Sequence, residues 1–373
     1  MKPRLLIIAV LLASGWWYQA TAHAHPPTGI VVDRTGNVYF SDLETIWKFS
    51  AEGELTVFRA GQHGRHVHEL TIDRDDNIYG ADVSYNPATK GWPSSVWMMS
   101  PSGKITYFVE TTENPPRGMG IWRDSAGNLY SIIQNNHTKT QTLLLRRAPS
   151  GEVTTLAGGA YGLADGTGAS AMFGSIGGMV FGPDGNLYLT DRAAIRKVTM
   201  NGEVTTLAKG LDFRAQEDQP RFLAGAGENL TGLSVAPDGT IFVADSANRR
   251  LLKVTTNGKV DTVLRTEPPY FPNGVAAVGQ DVYVLEIGFT LPNISSGPRI
   301  RKISTDGSQK ILITLGETND RRQVLATKAG VAAENTLTLV SGDGRWRYSL
   351  ALSSLAILSS VILMWRRKRK ERA

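Results

Sequence analysis

Hydrophobic positions in the middle of this chain come in short runs that alternate with polar residues and break at turns, and one plan recurs six times. The copies read TGIVVDRTGNVYFSD from residue 28, HELTIDRDDNIYGAD from 68, MGIWRDSAGNLYSII from 119, GGMVFGPDGNLYLTD from 177, TGLSVAPDGTIFVAD from 231 and NGVAAVGQDVYVLEI from 273. A slot near the start of each copy holds Gly29, Glu69, Gly120, Gly178, Gly232 or Gly274. A short apolar run follows, then a polar turn with Asp-Gly or a near equivalent, then Tyr39, Tyr79, Tyr130, Tyr188, Phe242 or Tyr283. Slot and aromatic stand ten residues apart in five copies and nine in the sixth. Alternation of period two around such a turn predicts a β-hairpin in every copy.

Most copies continue into two more strands. In the fourth these are AAIRKVTM and EVTTLA, and in the fifth RRLLKVTT and KVDTVL, each pair joined through Asn-Gly. Successive slots lie 40 to 58 residues apart. Four strands per unit at that spacing predict the blades of a propeller. No stretch between the two chain ends carries sustained helical periodicity, which excludes α/β alternatives. One four-stranded sheet cannot cover both of its faces, so the units must pack around an axis. The expected fold is an all-β, six-bladed β-propeller over residues 28–315.

Residues 161–210, YGLADGTGASAMFGSIGGMVFGPDGNLYLTDRAAIRKVTMNGEVTTLAKG, resemble the NHL-repeat propellers, with ADGTG, PDGNLYLTD, IRKVT and GEVTTLA in that family's order and spacing. The sixth copy, with YFPNGVAAVGQDVYVLEIG, is also similar to the regucalcin/gluconolactonase and strictosidine-synthase-like propellers, which carry a comparable Pro-Asn-Gly. The resemblance spans the six repeats and stops short of the C-terminal segments.

The chain ends follow a different pattern. Residues 1–24 combine Lys2 and Arg4, an apolar run and small residues around Ala20, Ala22 and Ala24, the pattern of a secretory signal. Residues 348–365 run 18 positions without a charge, about 27 Å as a helix and enough to cross a membrane. The basic tail 366–373 follows at once and is expected to stay in the cytoplasm, leaving the propeller on the extracytoplasmic side. Residues 316–347 read as a polar stalk. Of the formal charge of +6, the tail carries +5 and Lys2 with Arg4 carry +2, so residues 25–365 come to −1. The exported part therefore lacks the basic face that nucleic-acid binding needs. The chain has no cysteine, which rules out disulfides and thiolate chemistry.

Candidate chemistry follows from register. The residue before each slot forms a column expected at the channel mouth: Thr28, His68, Met119, Gly177, Thr231 and Asn273. The gluconolactonase-type resemblance implies a divalent cation held there by Glu, Asn and Asp from different blades. Only Asn273 matches that set, and Thr28 stands where the glutamate belongs. Asn273 has two readings, a cation ligand or the first residue of an Asn-Gly turn. A second column, three residues past the aromatic, holds Asp42, Asp82, Asp191, Asp245 and Glu286. Its regularity argues for hydrogen bonding to a turn in each blade, with Glu286 the member of longer reach and a metal candidate beside Asn273.

The second copy departs most from the plan, with Glu69 in the glycine slot and His66 and His68 two residues apart. On a strand the two histidines share a face. Such a pair with a carboxylate suits zinc binding or general acid–base work. Arg117 is a further ligand-binding candidate near the mouth. The expected role is a ligand- or protein-binding module for a protein, glycan or small molecule, without nucleic acid. The alternative is a metal-dependent hydrolase or lactonase using calcium or zinc.

Overall fold

Each predicted unit forms one antiparallel sheet whose four strands pair in chain order. The computed structural model describes residues 27–91, 93–112, 121–134, 138–211, 230–290 and 294–316. The signal, the stalk past residue 316, the membrane segment and the tail lie outside the described residues, as do Arg117, Met119, Gly120 and His137. Among the described residues no helix is long and apolar enough to cross a membrane.

Blade 1 consists of Ile30–Val32, Val38–Ser41, Ile46–Phe49 and Leu55–Arg59. Blade 2 comprises Arg65–Ile72, Ile78–Ser84, Ser94–Met99 and Ile105–Thr112, and blade 3 Trp122–Arg123, Leu129–Gln134, Gln141–Arg147 and Val153–Ala160. Blade 4 comprises Ile176–Phe181, Leu187–Asp191, Ala194–Val198 and Glu203–Ala208, and blade 5 Leu230–Val235, Ile241–Asp245, Arg250–Val254 and Val260–Arg265. Blade 6 comprises Tyr270–Val278, Asp281–Thr290, Ile294–Ile303 and Gln309–Thr314. First strands pack against first strands between blades 1 and 2, 3 and 4, 4 and 5, and 5 and 6, and blade 6 meets blade 1 in the same way. The expected all-β, six-bladed propeller is the observed architecture.

The turn between the first two strands explains why the repeated aromatic is usually tyrosine. In blade 1, Asp33 Oδ1 accepts the N–H groups of Thr35 and Asn37, both at 2.9 Å. Its Oδ2 accepts Asn37 Nδ2 at 2.7 Å and the Tyr39 hydroxyl at 3.0 Å. Asp73, Asn77 and Tyr79 repeat this in blade 2, and Asp124, Asn128 and Tyr130 in blade 3. Burial alone would raise the Asp33 pKa, but the bonds from Asn37, Thr35 and Tyr39 outweigh it and hold the carboxyl below its ordinary value. Burial and the neighbouring carboxylate push Tyr39 up. In blades 1 to 3 the turn carboxylate thus takes its hydrogen bonds from its own blade.

Blade 4 carries an extra layer. Gly166–Thr167 adds a fifth strand beside Glu203–Ala208, and Gly168–Ser170 forms a single 3-10 turn. This segment is held from beneath by Arg196, whose side chain is wholly buried. Its Nη1 donates to Asp191 Oδ2 at 2.7 Å and to the Met172 carbonyl at 3.2 Å. Its Nη2 donates to the Ala164 carbonyl at 2.8 Å and to Asp165 Oδ1 at 3.1 Å. The guanidinium also lies 5.4 Å from the centre of the Phe173 ring. The residue strings that carried the family resemblance therefore meet in space as one packed unit.

Candidate functional site

The column before the glycine slot owes its geometry to a repeated bulge. Pairing between the first two strands slips between Val67 and Leu70, between Ile176 and Gly178, between Leu230 and Leu233, and between Pro272 and Gly274. A bulge re-aims the extra residue and frees it from the ladder. Here the released groups bind the neighbouring blade. Thr28 donates its N–H to the His68 carbonyl at 2.8 Å, and Thr231 Oγ1 donates to the Asn273 carbonyl at 2.9 Å.

The slot beside the column is glycine because the next first strand lies against it. A Cβ on Gly178 would stand 2.3 Å from the Thr231 carbonyl oxygen, and one on Gly232 2.7 Å from that of Asn273. On Gly274 it would stand 2.3 Å from the Thr28 oxygen, and on Gly29 3.1 Å from the Glu69 carbonyl carbon. Glycine within a strand marks such an approach of backbone to backbone.

Asn273 is 1% exposed, and both ends of its amide are engaged. Nδ2 donates to the Pro27 carbonyl at 2.7 Å and Oδ1 accepts the Ser246 hydroxyl at 3.1 Å. The side chain thereby joins blade 6 to blade 5 and to the segment entering blade 1. Asn273→Ala is expected to cost about 1–3 kcal/mol, chiefly from the Pro27 carbonyl, since the Ser246 hydroxyl keeps the Pro272 carbonyl at 2.6 Å. Thermal melting with and without Ca2+ checks this; a loss seen only with Ca2+ would assign the amide to a cation instead.

The acidic column is built into the blades. Asp42 accepts the Thr45 N–H at 2.8 Å and Trp47 Nε1 at 2.9 Å. Asp82 takes a two-pronged bond from Arg59 of blade 1, at 2.8 and 2.7 Å, plus Trp97 Nε1 at 3.2 Å. Asp191 pairs with Arg196, and Asp245 with Arg250 at 2.6 Å and with Asn248. Glu286 is fully buried between Arg299 and Arg301, with Arg301 Nε at 2.5 Å. Burial pushes Asp191 up to about 6 despite the Gly174 N–H and Arg196 beside it. Asp42 caps backbone N–H groups of the turn that follows it. In the other four blades the main partner is a third-strand or neighbouring-blade side chain, which sequence reading missed.

His66 and His68 do come together: their rings sit 5.8 Å apart, centre to centre, at 81°. Both are half-buried, as is Glu69. Among the described residues no group of three histidines or carboxylates is placed to hold a metal ion.

No known protein-family pattern matches the chain. Among solved structures it is similar to virginiamycin B lyase from Staphylococcus aureus, at 18% identity and a TM-score of 0.44, over 78% of this chain and 85% of that one. It is similar to a calcium-binding protein, regucalcin, from Agrobacterium tumefaciens, at 15% identity and a TM-score of 0.45, over 72% and 85%. A luciferin-regenerating enzyme matches at 14% identity and a TM-score of 0.48, over 76% and 94%. Likeness at this level concerns fold alone, and no residue role passes from those proteins to this chain.

A groove of about 620 Å³ lies at the opposite end of the blades, between blades 5 and 6. Phe242, Val263, Ala277, Val282 and Ile303 form its walls, with Asp238, Lys253 and Asp281 beside them. It occurs where blade 5 has Ala236, Thr240 and Phe242 in place of the Asp–Asn–Tyr set of blades 1 to 3. Blade 5's first strand separates it from the column by about 16 Å.

Proposed function

We propose that this chain is an NHL-type propeller that acts as a binding module for a protein, glycan or small molecule, displayed on the extracytoplasmic side of a membrane. The observation that carries the reading is the commitment of the two candidate cation ligands. Asn273 spends its amide on Pro27 and Ser246, and Glu286 spends its carboxylate on two arginines. A lactonase-type centre would need those oxygens turned toward a cation. The signal-like and membrane-like ends support display outside the cytoplasm.

The test is hydrolysis of gluconolactone and phenyl acetate by the purified full chain in detergent, with Ca2+, Mn2+ or Zn2+ added. The expected rate equals the buffer blank. Metal-dependent turnover that disappears in Asn273→Ala would replace this reading with the metal-dependent lactonase.

A further inference from the structure

The first strand of blade 2, Arg65–Ile72, presents two different faces. Val67 and Leu70 belong to a buried cluster with Val31 and Ile46 of blade 1. The bulge at residues 68 and 69 lets Leu70 keep the side that Val67 has, so Thr71 turns the other way. Thr71 Oγ1 donates to the Ile121 carbonyl at 3.3 Å, which identifies that other face as the one toward blade 3. His66 and His68 alternate with Val67 and stand on this same face.

At four junctions a glycine lets the adjoining backbone or side chain come within 2.3–3.0 Å of where a Cβ would stand. Blade 2 has the half-buried Glu69 in that slot. Two half-buried imidazoles and a half-buried carboxylate thus stand within four residues of one strand.

Their spacing fits one class of ligand. A metal bound by imidazole lies about 2.0–2.1 Å from nitrogen, which puts it about 3.2 Å from the ring centre. Two such rings at a tetrahedral angle have centres about 5.2 Å apart. The observed 5.8 Å lies about half an ångström beyond that distance, and rotation of the two half-buried side chains would bring one nitrogen of each to the ion. Nitrogen donors select zinc, copper and nickel over calcium or magnesium.

We propose that His66 and His68 form a two-nitrogen chelate for a divalent transition-metal ion of the zinc or copper class on the face of blade 2's first strand that Thr71 shares. Two protein nitrogens leave the remaining positions to water or to a donor from an outside ligand, so the ion can bridge the propeller to what it binds. The site does not depend on the binding-module reading. Zinc uptake without turnover leaves both standing, and turnover would change the function while zinc retention still decides the site.

The experiment titrates metal-free full chain in detergent with ZnCl2 by calorimetry. Wild type is expected to take up one equivalent of zinc at this site. His66→Ala and His68→Ala should each weaken that uptake by at least about tenfold, because the second nitrogen acts at high effective concentration. His63→Ala, at a fully exposed histidine in the preceding loop, should leave it unchanged. His66→Gln and His68→Gln repeat the test with a polar side chain should either alanine variant lose its β-sheet circular dichroism. Electron paramagnetic resonance of the Cu2+-loaded chain should show two coupled nitrogens in wild type and one in each single variant. No zinc uptake by wild type, or wild-type affinity in either His66 or His68 variant, overturns the proposal.

Discussion

Arg196→Leu is expected to lower folding stability by about 3–5 kcal/mol, the cost of removing one partner from a fully buried ion pair. Both side chains of the Arg196–Asp191 pair are 0% exposed. Leucine leaves the Asp191 carboxylate with the Gly174 N–H at 2.8 Å as its one other hydrogen bond identified here. It also removes one of the two hydrogen bonds that each of the Ala164 and Met172 carbonyls accepts, and it leaves Asp165 tied to Thr206 alone, at 2.7 Å. The fifth strand and its 3-10 turn then keep their ladder to Glu203–Ala208 but lose the buried side chain that ties them to Asp191. Replacing both charges, with Asp191→Asn and Arg196→Met together, should recover part of the loss because no buried charge remains. Urea and thermal melts of the two variants check this, and a double variant no better than Arg196→Leu would point to the carbonyl bonds as the main contribution.

Gly274→Ala is the second large effect, expected at about 3 kcal/mol. The added carbon would stand 2.3 Å from the Thr28 oxygen and 2.9 Å from its carbonyl carbon. Both are backbone atoms of the strand entry to blade 1, so relief requires the blades to move apart. That movement would loosen the Asn273–Pro27 bond, which joins residues 246 apart in sequence. Gly178→Ala should behave alike, since its carbon meets the Thr231 oxygen at the same 2.3 Å. Glu69→Ala should be nearly neutral, because that slot already accommodates a side chain. A melting temperature for Gly274→Ala within about 2 °C of wild type would refute the close-contact account.

The legible part of the site followed from repetition. Residues such as Asp191 and Asp245, recurring at one register position, were readable as structural before any coordinate was known. The Asp33–Asn37–Tyr39 set was equally available, since its spacing recurs at Asp73 and Asp124, yet only its turn and its tyrosine were read. Arg59 could not be matched to Asp82 from the sequence, because the pair spans two blades and only blade 2 has it.

The sequence by itself determined the number of blades, the four-strand plan and the positions of the turns, because strand alternation and turn chemistry act over a few neighbouring residues. It also singled out residues 66–69 as the clearest break in the repeat. Tertiary structure alone decided what the glycine slots serve, since the atoms that exclude a Cβ belong to the next blade. It likewise decided that Asn273 clips the ring, that Glu286 sits between two arginines, and that the two histidines face each other toward blade 3. The glycine contacts and the Asn273 clip depend on how one blade leans on the next, and the Glu286 site on strand pairing within blade 6, contacts that local pattern does not encode.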